Sequence, residues 1–167
     1  MNQGLKSIKG VQAFGVWPTD QARHATLHLV PFDRDAPPLP LPLAGRLVPA
    51  GFPSPADDYL DGEIDLSAYL IERPAATFLM RVTGESMRGA GILDGDLVVV
   101  DRSIEAKSGH VVVAVLGGDL TIKRLRRLKT GGAILQAENP DYPEFVVCEE
   151  MPAEIWGIVV GVVRRLR

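Results

Sequence analysis

From Thr77 to the C-terminus, short apolar runs alternate with turn residues. That spacing restricts the chain to a mostly β architecture. Candidate strands fall at 77–83, 97–101, 110–116, 119–127, 133–137, 144–148 and 154–164. The runs are short, rich in Val and Ile, and bounded by Gly, Asp and Pro, which is the pattern of strands and tight turns. Gly117-Gly118 between two of them is a hairpin signal.

The chain ahead of Thr77 reads differently. Phe14, Val16 and Trp17, and later Leu27, Leu29 and Val30, suggest short extended pieces. Prolines at 31, 37, 38, 40, 42 and 49 forbid helix interiors and central strands. Residues 31–50 are therefore expected to form an exposed, extended arm with polyproline character. Gly51-Phe52-Pro53-Ser54-Pro55 is loop. Between Ala56 and Arg73, the residues Tyr59, Leu60, Ile64, Leu66, Leu70 and Ile71 suggest one or two short helices, with Asp65 as an N-cap. The expected fold is one compact C-terminal β domain preceded by a proline-rich N-terminal arm.

Several classes are excluded. A helix-turn-helix needs two periodic helices around a short turn, and residues 1–50 offer none. No apolar run approaches the ~18 residues needed to cross a bilayer, and no long apolar stretch follows Lys6 and Lys9, so neither a membrane anchor nor a signal peptide is expected. The net charge of −3 gives no general attraction to nucleic acid, so direct DNA binding is not expected. Residues 1–50 hold five Lys and Arg against three Asp and Glu, and the acidic excess lies beyond them. The basic cluster Arg124, Arg126, Arg127 and Lys129 is read as a solvated face, with a protein or DNA contact as the other reading. A lone cysteine, Cys148, rules out an internal disulfide, fits a reducing cytoplasm and is most simply a core residue. No metal or cofactor is expected.

The chemistry concentrates in Thr83-Gly84-Glu85-Ser86-Met87-Arg88-Gly89-Ala90-Gly91-Ile92, which lies between two strand runs. Glycines allow a bend that exposes a neighbouring side chain and aims backbone amides outward. Ser86 is thus either a nucleophile or a turn residue. Thr121-Ile122-Lys123-Arg124-Leu125 reads as a strand whose alternation places Lys123 with Thr121 and Leu125. If that face looks inward, desolvation disfavours the ammonium, and a neutral amine can serve a Ser hydroxyl as general base. If it looks outward, Lys123 merely opens a basic surface strand. Periodicity leaves both open.

The ordered motifs Gly84-Glu85-Ser86-Met87, Asp94-Gly95-Asp96-Leu97, Thr121-Ile122-Lys123 and Asn139-Pro140-Asp141-Tyr142 resemble the Ser–Lys self-cleaving family of LexA and UmuD. Upstream, Ala50-Gly51-Phe52-Pro53-Ser54-Pro55 resembles the cleavage site of the UmuD branch. The 37 residues from Ser86 to Lys123 and the 36 from Ala50 to Ser86 fit that family's spacing. The resemblance covers about residues 40–167. It implies Ser86 as nucleophile, Lys123 as general base, Ala50–Gly51 as the bond cut, and the amides of Glu85 and Ser86 as oxyanion donors. Residues 1–50 would then be removed and residues 51–167 would form the peptidase-like domain.

The same resemblance implies a homodimer, stimulation by a RecA filament on single-stranded DNA, and service to a Y-family polymerase in SOS mutagenesis. A LexA-type repressor and a non-catalytic interaction module are the competing expectations.

Overall fold

The computed structural model describes residues 28–30, 37–44, 60–129, 131–148 and 151–166. The chain divides into two compact units, Asp33–Pro74 and the remainder.

The larger unit is mostly β, as expected. Strands β1 (His28–Val30), β4 (Thr77–Arg81), β5 (Leu97–Asp101), β6 (Val111–Leu116), β7 (Asp119–Arg127), β8 (Ala133–Gln136), β9 (Phe145–Val147) and β10 (Ala153–Val163) form one eight-stranded sheet. Its order is β1-β4-β5-β10-β6-β7-β8-β9, and every neighbouring pair runs antiparallel. The seven strands expected from Thr77 onward all form, with ends within two residues. Gly117 and Gly118 make the turn between β6 and β7.

Strand β10 lies between β5 and β6 and pairs with both. Central strands read as continuous apolar runs because both of their faces are covered. Val98, Val99 and Val100 of β5 are buried, as are Val112, Val113 and Ala114 of β6. Two core clusters result. Met80, Met87, Ile92, Val113 and Ile122 lie in one, and Val112, Leu125, Leu135, Phe145 and Ile158 in the other. Each fully buried aliphatic side chain contributes about 1.5–3 kcal/mol.

The smaller unit corrects one expectation. Residues 60–65 are not helical. They form β3 (Leu60–Asp65), which pairs antiparallel with β2 (Pro40–Ala44). Part of the arm is therefore a strand with its own partner. Prolines spaced by two, Pro40 and Pro42, place both missing N–H groups on one edge of β2, so the other edge can still pair. Helix α1 (Leu66–Leu70) does follow, with Asp65 as N-cap. Asp65 Oδ1 accepts from the Ser67 and Ala68 amides at 2.8 and 3.1 Å, while Oδ2 accepts from Leu39 N–H at 3.0 Å. One carboxylate thus ties the arm to the helix, and the amides of Ala68, Leu39 and Ser67 hold it below the usual carboxylate range.

Candidate active site

Ser86 lies in the loop that joins β4 to β5. The neck of this loop is closed by backbone bonds, Val82 N–H to Asp96 O at 2.8 Å and Gly95 N–H to Val82 O at 3.0 Å. Inside it, Asp94 Oδ1 accepts from Gly84 N–H at 2.6 Å, and Asp96 Oδ2 accepts from Leu93 N–H at 2.7 Å. A 3-10 turn at Arg88–Ala90 follows Ser86, and Met87 and Ile92 anchor it in the core. Gly84 and Gly91 have φ of 91° and 76°, which side chains rarely tolerate. The bend read from the glycines is real, but its serine is buried, at 1% exposure.

Lys123 sits on β7 with its inward face settled by packing. It is 2% exposed, and Thr121 and Leu125 are buried with it. Its Nζ lies 3.1 Å from Ser86 Oγ, 3.2 Å from Thr121 Oγ1 and 3.0 Å from Ile122 O. The Phe145 ring centroid is 5.9 Å away. Burial pushes the Lys123 amine down to about 8 from an ordinary 10.5. Once neutral, the amine has two N–H groups and one lone pair. Thr121 Oγ1 and Ile122 O can accept the two N–H bonds, which leaves the lone pair to take the Ser86 hydroxyl proton.

A third segment touches both sides of this pair. Asn139 is buried, and its Nδ2 donates to Glu85 O at 3.0 Å while its Oδ1 accepts from Asp141 N–H at 3.1 Å. Gly89 N–H donates to Glu138 O at 2.7 Å. A Cβ at Gly89 would collide with that same Glu138 oxygen, so only glycine permits the approach. The Glu138 carboxylate pairs with Arg124, the residue after Lys123.

Arg164, just past β10, grips the serine loop from another side. Its Nε and Nη2 donate to Asp96 Oδ1 and Oδ2 at 2.6 and 2.5 Å, and Nη2 also reaches Gly91 O at 2.7 Å. This guanidinium holds buried Asp96 below the usual carboxylate range.

The basic cluster is largely committed to its own surface. Arg124 pairs with Glu138 and the Gly109 carbonyl, Arg126 with Gln136 and Glu144, and Arg127 with the Ala106 carbonyl. Cys148 is buried directly after β9. The expected bond, Ala50–Gly51, lies outside the described residues, as do Phe14, Val16 and Trp17. No helix among the described residues is long and apolar enough to cross a membrane.

Sequence reasoning named Ser86, Lys123 and Glu85. It gave Asn139 no task beyond its motif, and it assigned nothing to Thr121, Phe145 or Arg164 at the site. Thr121 was accessible from alternation, being two residues from Lys123 on one strand face. The others reach the site only through long-range folding.

The site therefore holds a hydroxyl against a desolvated amine on an antiparallel sheet, an arrangement in which the amine, once neutral, can take the hydroxyl proton. The chain belongs to the Peptidase S24-like family, whose match spans residues 42–160. Protein SamA of Salmonella typhimurium is 45% identical over 126 residues, covering 75% of this chain and 86% of that protein. Protein ImpA of Escherichia coli is 44% identical over 126 residues, covering 75% and 85%. The LexA repressor of Delftia acidovorans is 48% identical over 128 residues, or 76% of this chain, but the match covers 55% of the repressor.

Proposed function

We propose that this chain is a self-cleaving serine endopeptidase of the UmuD type, which cuts its own Ala50–Gly51 bond with a Ser86–Lys123 dyad. The observation that carries the reading is the 3.1 Å contact between Lys123 Nζ and Ser86 Oγ, with both groups buried. Neutral Lys123 takes the Ser86 proton as Oγ bonds to the Ala50 carbonyl carbon. The resulting oxyanion is held by the amides of Glu85 and Ser86. Lys123 then passes the proton to the Gly51 nitrogen, the C–N bond breaks, and an ester joins Ala50 to Ser86. Water, deprotonated by the same amine, releases residues 1–50 and restores the hydroxyl.

In this reading the protein acts in the cytoplasm as a homodimer, a RecA filament on single-stranded DNA stimulates the cut, and residues 51–167 then serve a Y-family polymerase in SOS mutagenesis. A LexA-type repressor is the second reading, favoured by the 48% identity to the Delftia repressor. Binding of the intact chain to operator-length DNA would separate the two.

The test is self-cleavage of the purified wild type, Ser86→Ala and Lys123→Ala from neutral to alkaline pH, with and without RecA filament. Mass spectrometry locates the cut. One cut between Ala50 and Gly51, absent in both variants, supports the dyad. An intact wild type even with activated filament overturns it.

A further inference from the structure

We propose that Asn139 is a positioning residue for peptide cleavage: its carboxamide holds the Glu85 carbonyl and so turns the Ser86 N–H toward the place where the oxyanion forms. This rests on the reading of Ser86 as the nucleophile. The backbone geometry carries the step. In a trans peptide the C=O of one residue and the N–H of the next point in opposite directions. Glu85 O accepts from Asn139 Nδ2 at 3.0 Å and from Arg88 N–H of the serine turn at 3.2 Å, so the side chain and the turn together set the direction of this C=O, and the Ser86 N–H points away from both. Among the described residues, no group accepts from that N–H. An amide that is oriented and unengaged has the properties of an oxyanion donor.

The side chain required is specific. One planar group must donate to Glu85 O and accept from Asp141 N–H. Glu85 O can only accept and Asp141 N–H can only donate, so the two ends of the carboxamide are assigned without ambiguity. Aspartate keeps the acceptor but loses the donor. Leucine loses both.

The position of Asn139 is itself secured from both sides of the dyad. Its neighbour Glu138 pairs with Arg124 on the lysine strand and accepts from Gly89 N–H on the serine turn. Asp141 pairs with Arg88 on that turn at 3.4 Å. Residues 138–141 therefore act as a brace between β7 and the serine loop, and Asn139 is its contact with the Glu85–Ser86 peptide.

The experiment compares wild type, Asn139→Ala and Asn139→Asp by self-cleavage rate against pH, with thermal unfolding of each. A fluorophosphonate that labels Ser86 is the second readout, because it needs the hydroxyl and the oxyanion site but no docked arm. Asn139→Asp keeps the acceptor for Asp141 N–H, so it preserves the turn if Asn139→Ala does not fold. The limiting alkaline rate and the labelling rate are expected to fall about 10- to 100-fold in both variants. In Asn139→Ala, which adds no charge, the pH of half-maximal rate should stay at the wild-type value, because Asn139 acts on the serine side.

A folded variant with the wild-type limiting rate overturns the inference alone. So does a moved midpoint with an unchanged limit. A wild type that neither cleaves nor labels overturns the reading of Ser86 and this inference with it.

Discussion

Lys123 Nζ lies 3.1 Å from Ser86 Oγ although 37 residues separate the two along the chain. The sheet order explains the meeting. The serine loop opens from β4 and closes onto β5, the lysine rides on β7, and β10 and β6 lie between these strands. The meeting of the two side chains therefore depends on the strands that run from β4 across to β7.

Self-cleavage is expected to follow the fraction of neutral Lys123. With the amine at about 8, the rate should rise about tenfold per pH unit below that value and level off above it. Initial rates between pH 6 and 11 measure this. A flat profile would remove Lys123 as the base.

Lys123 should cost stability at neutral pH. Its folded-state value lies below its ordinary 10.5, so the unfolded chain binds more protons between about 8 and 10.5, and stability rises with pH across that window. The full penalty, on the order of 3 kcal/mol, applies below pH 8. Lys123→Met is therefore expected to raise the thermal midpoint at pH 7 despite the lost hydrogen bonds, with the advantage fading above pH 10. A lower midpoint at pH 7 would contradict the desolvation argument.

Arg164→Ala leaves the buried Asp96 carboxylate without its guanidinium and frees Gly91 O. The variant should melt earlier than wild type at pH 7 and cleave more slowly, because the serine loop loses its outer clamp. The Asp96 contribution is present above the ordinary carboxylate range and is lost as pH falls through its depressed value. The gap in melting temperature should accordingly narrow in strong acid. A pH-independent gap would point to packing instead.

Gly89→Ala places a methyl group on the Glu138 carbonyl oxygen. Backbone must move to relieve it, at about 1–3 kcal/mol. The displacement separates the serine turn from the brace, so cleavage should fall with a modest loss of stability. Urea unfolding and the cleavage rate, measured on one preparation, test both. Wild-type values for both would show that the brace is not rigid.

Much of the fold was legible because its signals are local. Val98 to Val100 and Val112 to Ala114 declare strands by composition alone, and Gly117-Gly118 declares their kind of turn. Asp65 declared a helix start because an N-cap acts within three residues. Leu60 to Asp65 misled because its strand character depends on pairing with Pro40 to Ala44. A Gly-containing acidic stretch has little intrinsic strand preference, and the partner strand supplies the hydrogen bonds.

The sequence by itself determined the run of strands from Thr77 onward and the presence of a serine and a lysine at a spacing that resembles a self-cleaving family. It could not decide which face of β7 looks inward. That was settled by tertiary packing, since burial of Thr121, Lys123 and Leu125 depends on what the rest of the sheet lays over them. The lowered basicity of Lys123 follows from the same cause, because desolvation belongs to the surroundings and not to the side chain. Tertiary structure also delivered Asn139 to Glu85 across 54 residues and Arg164 to Asp96 across 68. Hydrogen bonds of that reach leave no periodic trace in the chain, so only the folded sheet could reveal them.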